Sequence, residues 1–150
     1  MLTQFVLKNV LSFKEETVFD MRAINAYKEH PENTADSGYG DKILRVATIY
    51  GANASGKSNF TLAMYIFRAI VAESLNNAND GKLLAIHKFY LPFLLSEEKA
   101  NSEFEIVNII DDAEYRYGFE YNDECIVEEW LYKKNLKTNR TAVIFERTTN

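Results

Sequence analysis

Apolar and polar residues alternate along two separate parts of this chain in the way that short β-strands require. Near the N-terminus the alternation covers residues 3–8 and 17–21, with a polar turn between them. Beyond residue 103 it returns in four segments separated by short polar turns: residues 104–110, 115–121, 126–135 and 141–147. Strands that follow one another through short turns pair as neighbours, so the pattern predicts an antiparallel meander in this second part.

The stretch between these two parts has a different pattern. Residues Ile43 to Tyr50 (ILRVATIY) form a mostly apolar run rich in branched side chains, which predicts a buried central strand of a parallel sheet. Apolar positions then recur every three or four residues and predict one face of a helix: Phe60, Ala63, Met64, Phe67, Ile70 and Val71. The Asn-rich segment 76–81 ends that helix. Residues 25–42 predict a loop, and residues 83–95 are compatible with either a strand or a helix.

A phosphate-binding motif lies where the apolar run meets the helix. The sequence there is Gly51-Ala52-Asn53-Ala54-Ser55-Gly56-Lys57-Ser58, which matches G-x-x-x-x-G-K-[ST], and Asn59 follows it. Such a loop turns successive backbone N–H groups toward a polyphosphate, and the next helix presents its positive end to the same anion. The motif predicts a nucleotide-binding site formed by Gly51, Asn53, Ala54, Ser55, Gly56, Lys57, Ser58 and Asn59.

Two side chains of the motif would carry the chemistry. Lys57 is the candidate catalytic residue, because its ammonium group would lie on the β- and γ-phosphates. The hydroxyl of Ser58 is the candidate ligand for Mg²⁺. The cofactors implied are therefore ATP and Mg²⁺. A strand-to-helix turn that binds nothing is the plainer interpretation, but the predicted strand before the motif and the predicted helix after it favour nucleotide binding.

Composition and charge narrow the functional classes. The formal net charge of −5 argues against nucleic-acid binding through bulk positive charge and leaves only a local basic cluster at residues 133–140. The single cysteine, Cys125, excludes an internal disulfide and fits a reducing compartment. The N-terminus has no signal-peptide pattern and no apolar run is long enough to span a membrane, so we expect a cytoplasmic protein.

Several segments, taken with the motif, resemble a known family. The opening FVLKNVLSFKEETVFDM, the segment IYGANASGKSN and the later EFEIVNII, YRYGFEY and EEWLY are similar to the N-terminal part of AAA-family, OLD-like ABC-type ATPases of bacterial phage-defence and DNA-transaction systems, and to SMC heads. The resemblance implies an α/β fold in which an antiparallel β-subdomain packs beside a P-loop core. Residues 1–150 would form the N-terminal lobe, with the hairpin, P-loop strand and helix in 1–76 and the β-rich subdomain in 77–150.

The resemblance also implies what a complete ATPase would need. In such proteins the Walker B strand, the signature motif and the switch histidine lie far downstream of the phosphate loop, so we expect this chain to be a fragment that binds Mg-ATP with little turnover. Hydrolysis would require those segments and a head-to-head dimer, and the family usually couples it to a nuclease or other effector.

Two details at other positions bear on the site. Asn9, Ser12 and Phe13 are candidates to line the nucleotide, although Leu11 stands where the family often carries a basic residue. Ile109-Ile110-Asp111-Asp112 imitates the acidic end of a Walker B strand, but acidic residues between two strand segments predict a hairpin turn instead.

Two other function classes stay open on the sequence alone. A small P-loop kinase would transfer the phosphoryl group to an acceptor, which the β-rich C-terminal part disfavours. A non-catalytic scaffold that retains the loop would bind no nucleotide.

Overall fold

The structure is a computed structural model that describes residues 1–24, 26–27, 29–79, 85–96 and 99–149. It contains one α-helix, eight strands and two short 3₁₀ turns at Pro31–Asn33 and Ile86–Lys88 within those ranges. The helix is α1 (Lys57–Asn79), and the strands are β1 (Leu2–Lys8), β2 (Thr17–Asp20), β3 (Thr34–Asp36), β4 (Lys42–Leu44), β5 (Ser102–Ile110), β6 (Ala113–Tyr121), β7 (Ile126–Asn135) and β8 (Arg140–Thr148).

Six of the strands form one antiparallel sheet in the order β2-β1-β5-β6-β7-β8. The meander predicted after residue 103 is confirmed, because β5 to β8 follow one another in both sequence and space. The N-terminal hairpin of β1 and β2 is also confirmed. The strand β1 pairs with β5 across a long sequence separation, so the two parts of the chain share a single sheet.

The helix α1 packs against one aromatic face of this sheet. Cross-strand pairs place Leu7 opposite Phe104 and Phe104 opposite Phe119, so their side chains point to the same side. Phe67 of α1 stacks on Phe119 with ring centroids 5.7 Å apart and an interplanar angle of 8°. The predicted helix face is confirmed as part of the core, and Ile66, which the spacing missed, is 2% exposed.

The predicted strand over residues 43–50 is wrong for most of its length. Ile43 is buried in the short strand β4, but the chain then leaves regular structure, and Val46 and Tyr50 are 71% and 88% exposed. A parallel strand needs neighbours that run in its own direction, whereas every strand pair in the described residues is antiparallel. Within the described residues the fold is therefore mixed α/β, with antiparallel sheets and one α-helix, and it contains no parallel core.

The region predicted as a loop, residues 25–42, also differs from expectation. It contains β3 and the start of β4, which pair as a small two-stranded sheet through the register Ala35 to Ile43. A bridge between Arg22 and Ile43 joins this hairpin to the chain segment after β2. Strands of three residues carry too few side chains for alternation to show in the sequence.

Two further outcomes concern the helix end and the membrane. The described part of α1 runs to Asn79, and the rest of the segment 76–81 that is predicted to end the helix lies outside the described residues, as do residues 83 and 84 of the ambiguous segment 83–95. Within the described ranges, no helix has the length and apolar character needed to cross a lipid bilayer.

Candidate functional site

The phosphate-loop motif forms the turn that leads into the first residue of α1. The first helical hydrogen bond runs from the N–H of Phe60 to the carbonyl oxygen of Gly56 over 3.0 Å. Helix geometry leaves the N–H groups of residues 57–59 without an acceptor inside the helix. These N–H groups stand at the positive end of the helix dipole, which is the end that stabilises an anion.

Two residues of the loop adopt left-handed backbone angles. Ala54 has a φ of 62° and Gly56 a φ of 92°, and the N–H of Ser55 closes the turn on the carbonyl of Ala52 over 3.3 Å. A β-carbon added to Gly56 would lie only 3.0 Å from the hydroxyl oxygen of Ser12. Gly56 is therefore needed both for its backbone angle and for the close approach of the β1–β2 hairpin to the loop.

The side chain of Lys57 reaches back across the loop. Its Nζ donates hydrogen bonds to the carbonyl oxygens of Gly51, over 2.9 Å, and Ala52, over 2.6 Å, and lies 3.4 Å from the Ser55 hydroxyl. These contacts hold the ammonium group beside the bend of the loop. The Lys57 ammonium thus lies beside the loop, bonded to main-chain carbonyl oxygens.

The loop borders an open cavity of about 260 Å³, lined by residues 54–59. Ser58 is exposed at the first turn of α1, where its hydroxyl can reach a metal ion held by phosphate oxygens. Within the part of the chain that the structure describes, no group of three or more His, Cys, Asp or Glu side chains could form an independent metal site. The donor set thus fits Mg²⁺ bound through Ser58, phosphate and water.

The structure places Ser12, which the resemblance assigns to the nucleotide site, against Gly56 of the motif. Asn9 does not join them, because its amide nitrogen donates to the carbonyls of Ala100 and Asn101 and its amide oxygen accepts from the N–H of Phe93. This side chain is 6% exposed and ties two distant segments together. Phe13 packs edge-on against Phe60 in the partly buried margin of the core.

The acidic pair after β5 lies in a hairpin turn, as the turn interpretation predicts. Asp111 has a φ of 52° and joins β5 to β6 together with Asp112. The Asp112 carboxylate accepts hydrogen bonds from the Lys137 ammonium and from the Tyr39 hydroxyl, and these hold the pKa of Asp112 below its usual range. Asp112 therefore closes surface contacts at a hairpin turn, which is what the turn interpretation predicts.

One structural feature beside the loop is absent from the sequence prediction. Residues 90–95 form a wall next to the β1–β2 hairpin, and the N–H of Leu11 donates to the carbonyl of Leu91 over 2.7 Å. Between them lies an open, mostly apolar recess of about 390 Å³ that also touches Ser12 and Asn59. The only sequence signal was Pro92, which argues against a continuous helix through the ambiguous segment.

Comparison with known families agrees with this geometry. The family model described as AAA domain, putative AbiEii toxin, Type IV TA system matches residues 46–149, which include the whole phosphate loop. The chain belongs to this AAA-domain family. Membership in the AAA-domain family suggests a nucleotide-binding, ATPase-like function and the use of ATP with Mg²⁺. Searches of curated proteins and of solved structures found no match. The finer likeness to OLD-like ATPases and to SMC heads stays a prediction.

Proposed function

We propose that this chain binds Mg-ATP at residues 51–59 and serves as the nucleotide-binding lobe of an ABC-type ATPase. The observation that carries the proposal is the loop at the start of α1 with the Lys57 ammonium turned onto its bend. In a family of AAA domains, this arrangement supports recognition of a polyphosphate rather than a turn without a ligand.

Each part of the loop has a role in this proposal. The N–H groups of residues 57–59 would bind phosphate oxygens, because they have no acceptor in the helix. Lys57 would exchange its bonds to the loop carbonyls for bonds to the β- and γ-phosphates. Ser58 would hold Mg²⁺, which neutralises phosphate charge when bound.

The composition of the cavity supports binding without efficient turnover by this chain alone. A general base or a positioning carboxylate must lie close to the attacking water for hydrolysis. The residues that line the phosphate cavity, 54–59, include no Asp, Glu or His. We therefore propose that hydrolysis takes groups from further segments and from a second head that closes over the γ-phosphate.

The proposed partners and the biological role rest on the family resemblance. They include a homodimer of heads, coupling to a nuclease or other effector, and a role in phage defence in the cytoplasm. A nucleic-acid contact has less support, because Lys137 in the basic cluster already pairs with Asp112 and the net charge is −5.

Titration with a fluorescent ATP analogue, with and without Mg²⁺, tests the central claim. We expect saturable, Mg²⁺-dependent binding that Lys57→Ala weakens by at least about tenfold, because an ammonium–phosphate contact is lost. Lys42→Ala removes an exposed lysine from β4 and should leave the affinity unchanged.

Other outcomes of that titration point to other functions. No binding under either condition would contradict the proposal and favour a scaffold role. Equal affinity in Lys57→Ala and the parent chain would place the ligand somewhere else. Phosphoryl transfer to a nucleotide or metabolite in a coupled assay would favour a small kinase. Appreciable ATPase activity abolished by Lys57→Ala would contradict the need for further segments.

A further inference from the structure

Three glutamates lie opposite one another on neighbouring strands of the large sheet. In the strand register Glu103 of β5 lies opposite Glu120 of β6, and Glu120 lies opposite Glu128 of β7. The adjacent residues Phe104 and Phe119 belong to the core beneath α1, so alternation places this row of carboxylates on the other face of the sheet. Like charges directly opposite one another destabilise a sheet, so the row weakens the pairing of these strands.

The positions along the row offer little compensation for this repulsion. At one end Lys8 of β1 lies opposite Glu103. The side-chain amide of Asn101 donates to the Glu120 carboxylate over 2.8 Å. At the other end the row reaches Thr148 of β8, which carries no charge. Along the row, which lies wholly within the described residues, one lysine therefore accompanies three carboxylates.

Other charged groups also surround Glu103. Glu16 from the β1–β2 turn and Glu105 from the same strand add negative charge. The Glu105 carboxylate already has partners, since it lies 3.5 Å from the Arg116 guanidinium and accepts from the Trp130 indole N–H over 2.9 Å. An open cavity of about 620 Å³ beside the row is bordered by charges of both signs: Lys8, Lys14, Glu15 and Glu120.

Burial is the first reason why Glu103 holds a proton more readily than an exposed glutamate, because the charged form loses stabilising water. The carboxylates of Glu120, Glu16 and Glu105 add repulsion, while Lys8 opposes it. Together these effects raise the pKa of Glu103 above its ordinary value of 4.5. A group with a raised pKa in the folded state stabilises the fold below its unfolded pKa, and this contribution is lost as the pH rises through the folded pKa.

We propose that the carboxylate row of Glu103, Glu120 and Glu128 makes the centre of the sheet sensitive to pH, so that proton uptake by Glu103 tightens the pairing of β5 with β6 and proton release loosens it. The strand β5 lies between β1 and β6 in the sheet. It therefore joins the N-terminal hairpin to the meander. Proton release at Glu103 weakens the sheet where these two parts of the chain meet.

Carbon-13 NMR of the side-chain carboxyl groups between about pH 3 and pH 8 tests the proton uptake directly. The Glu103 signal is identified by its absence from the spectrum of Glu103→Gln. We expect its titration midpoint to lie above 4.5 in the parent chain, and to be lower in Glu120→Gln because one repelling charge is gone. A midpoint at or below 4.5 in the parent chain, or one that Glu120→Gln leaves unchanged, would overturn the proposal.

Urea denaturation of the full chain across the same pH range measures the effect on the sheet. Glu103→Gln keeps the size of the side chain but carries no charge. Its urea midpoint should exceed that of the parent chain at about pH 7, and the difference should shrink as the pH falls. The matched control is Glu114→Gln, because Glu114 lies on the same face of β6 as Glu120 but opposite Lys134. This control should not raise the midpoint.

Three results of the denaturation series would also overturn the proposal. If the midpoint of Glu103→Gln is no higher than that of the parent chain at about pH 7, the charge of Glu103 does not weaken the sheet. A difference that stays constant at every pH would assign the effect to the amide group rather than to proton release. An equal rise in Glu114→Gln would mean that any loss of negative charge stabilises a chain whose net charge is −5.

Discussion

At the residue scale, the shape of the candidate site depends on one hairpin residue that meets one loop residue. Leu11 has a φ of 54°, an angle that side-chain-bearing residues rarely adopt, and it occupies the tight turn closed by the pair Val10 and Phe13. That turn presents Ser12 to Gly56. A residue without a β-carbon at position 56 thus lets two chain segments that are distant in sequence come together at the phosphate loop.

Gly56→Ala should destabilise the chain and weaken nucleotide binding. The backbone angle alone should cost about 1–2 kcal/mol, and the contact of the new β-carbon with the Ser12 hydroxyl should add to that cost. Gly40→Ala is the matched control, because Gly40 has a φ of 95° and nothing within 4 Å of an added β-carbon. Urea denaturation of both variants measures the difference between them.

The contact with Ser12 can be tested separately from the angle. The double variant Ser12→Ala, Gly56→Ala lacks the hydroxyl that the new β-carbon would contact. Its free energy of unfolding should therefore fall only by as much as that of Gly40→Ala, in which the backbone angle alone is strained. If Gly56→Ala and Gly40→Ala lose the same free energy of unfolding, the Ser12 hydroxyl does not restrict the space beside position 56.

At the element scale, the two faces of the sheet are built differently. One face is aromatic and covered by α1, with Phe5, Phe104 and Phe119 almost fully buried. On the opposite face the indole N–H of Trp130 donates to the Glu105 carboxylate over 2.9 Å. Gly118 lies directly opposite Trp130 in the register of β6 and β7, so the indole ring can lie flat over the strand.

Gly118→Ala should displace the Trp130 side chain. An added β-carbon would lie 2.5 Å from the indole ring and 2.8 Å from the carbonyl oxygen of Phe104, and the backbone atom cannot move away easily. Overpacking of this kind should cost about 1–3 kcal/mol. Trp130 is the sole tryptophan, so a changed emission spectrum in the native state together with a lower urea midpoint would report the displacement. An unchanged spectrum and midpoint would show that the strand has room for a side chain.

At the scale of the whole molecule, the helical and β-rich parts share one core. The buried cluster contains Phe5 and Leu7 of β1, Phe60 and Ile70 of α1, and Phe119 of β6. Because β1 also pairs with β5, neither part can lose its packing without exposing the other. We expect the described chain to unfold in a single cooperative transition.

Phe5→Leu tests this cooperativity, because it perturbs the N-terminal strand β1 while Trp130 reports unfolding in β7. The substitution lies in β1, where Phe5 contacts the rings of Phe60, Phe67 and Phe104, and should cost about 1 kcal/mol. The urea midpoint measured by Trp130 fluorescence should fall together with the midpoint measured by circular dichroism. A Trp130 midpoint that stays constant while the dichroism midpoint falls would mean that residues 102–149 unfold as a separate unit.

Local patterns in the sequence determined most of the elements and the chemistry of the loop. Alternation predicted β1, β2 and the strands from β5 to β8, because apolar and polar side chains alternate along each of them over enough residues to show the pattern. Spacing predicted the buried face of α1. The motif at residues 51–58 predicted a phosphate loop, because its glycines, Lys57 and Ser58 are required by backbone angle and charge rather than by distant contacts.

Tertiary structure alone decided the rest, since pairing and burial depend on residues far apart in sequence. The apolar run over residues 46–50 is exposed because no described strand pairs with it, which composition cannot reveal. Asn9 became a structural tie rather than a nucleotide contact when folding brought it to Phe93 and Ala100. The recess beside the loop exists only because the Leu11 turn binds Leu91, a contact between segments that carry no shared sequence signal.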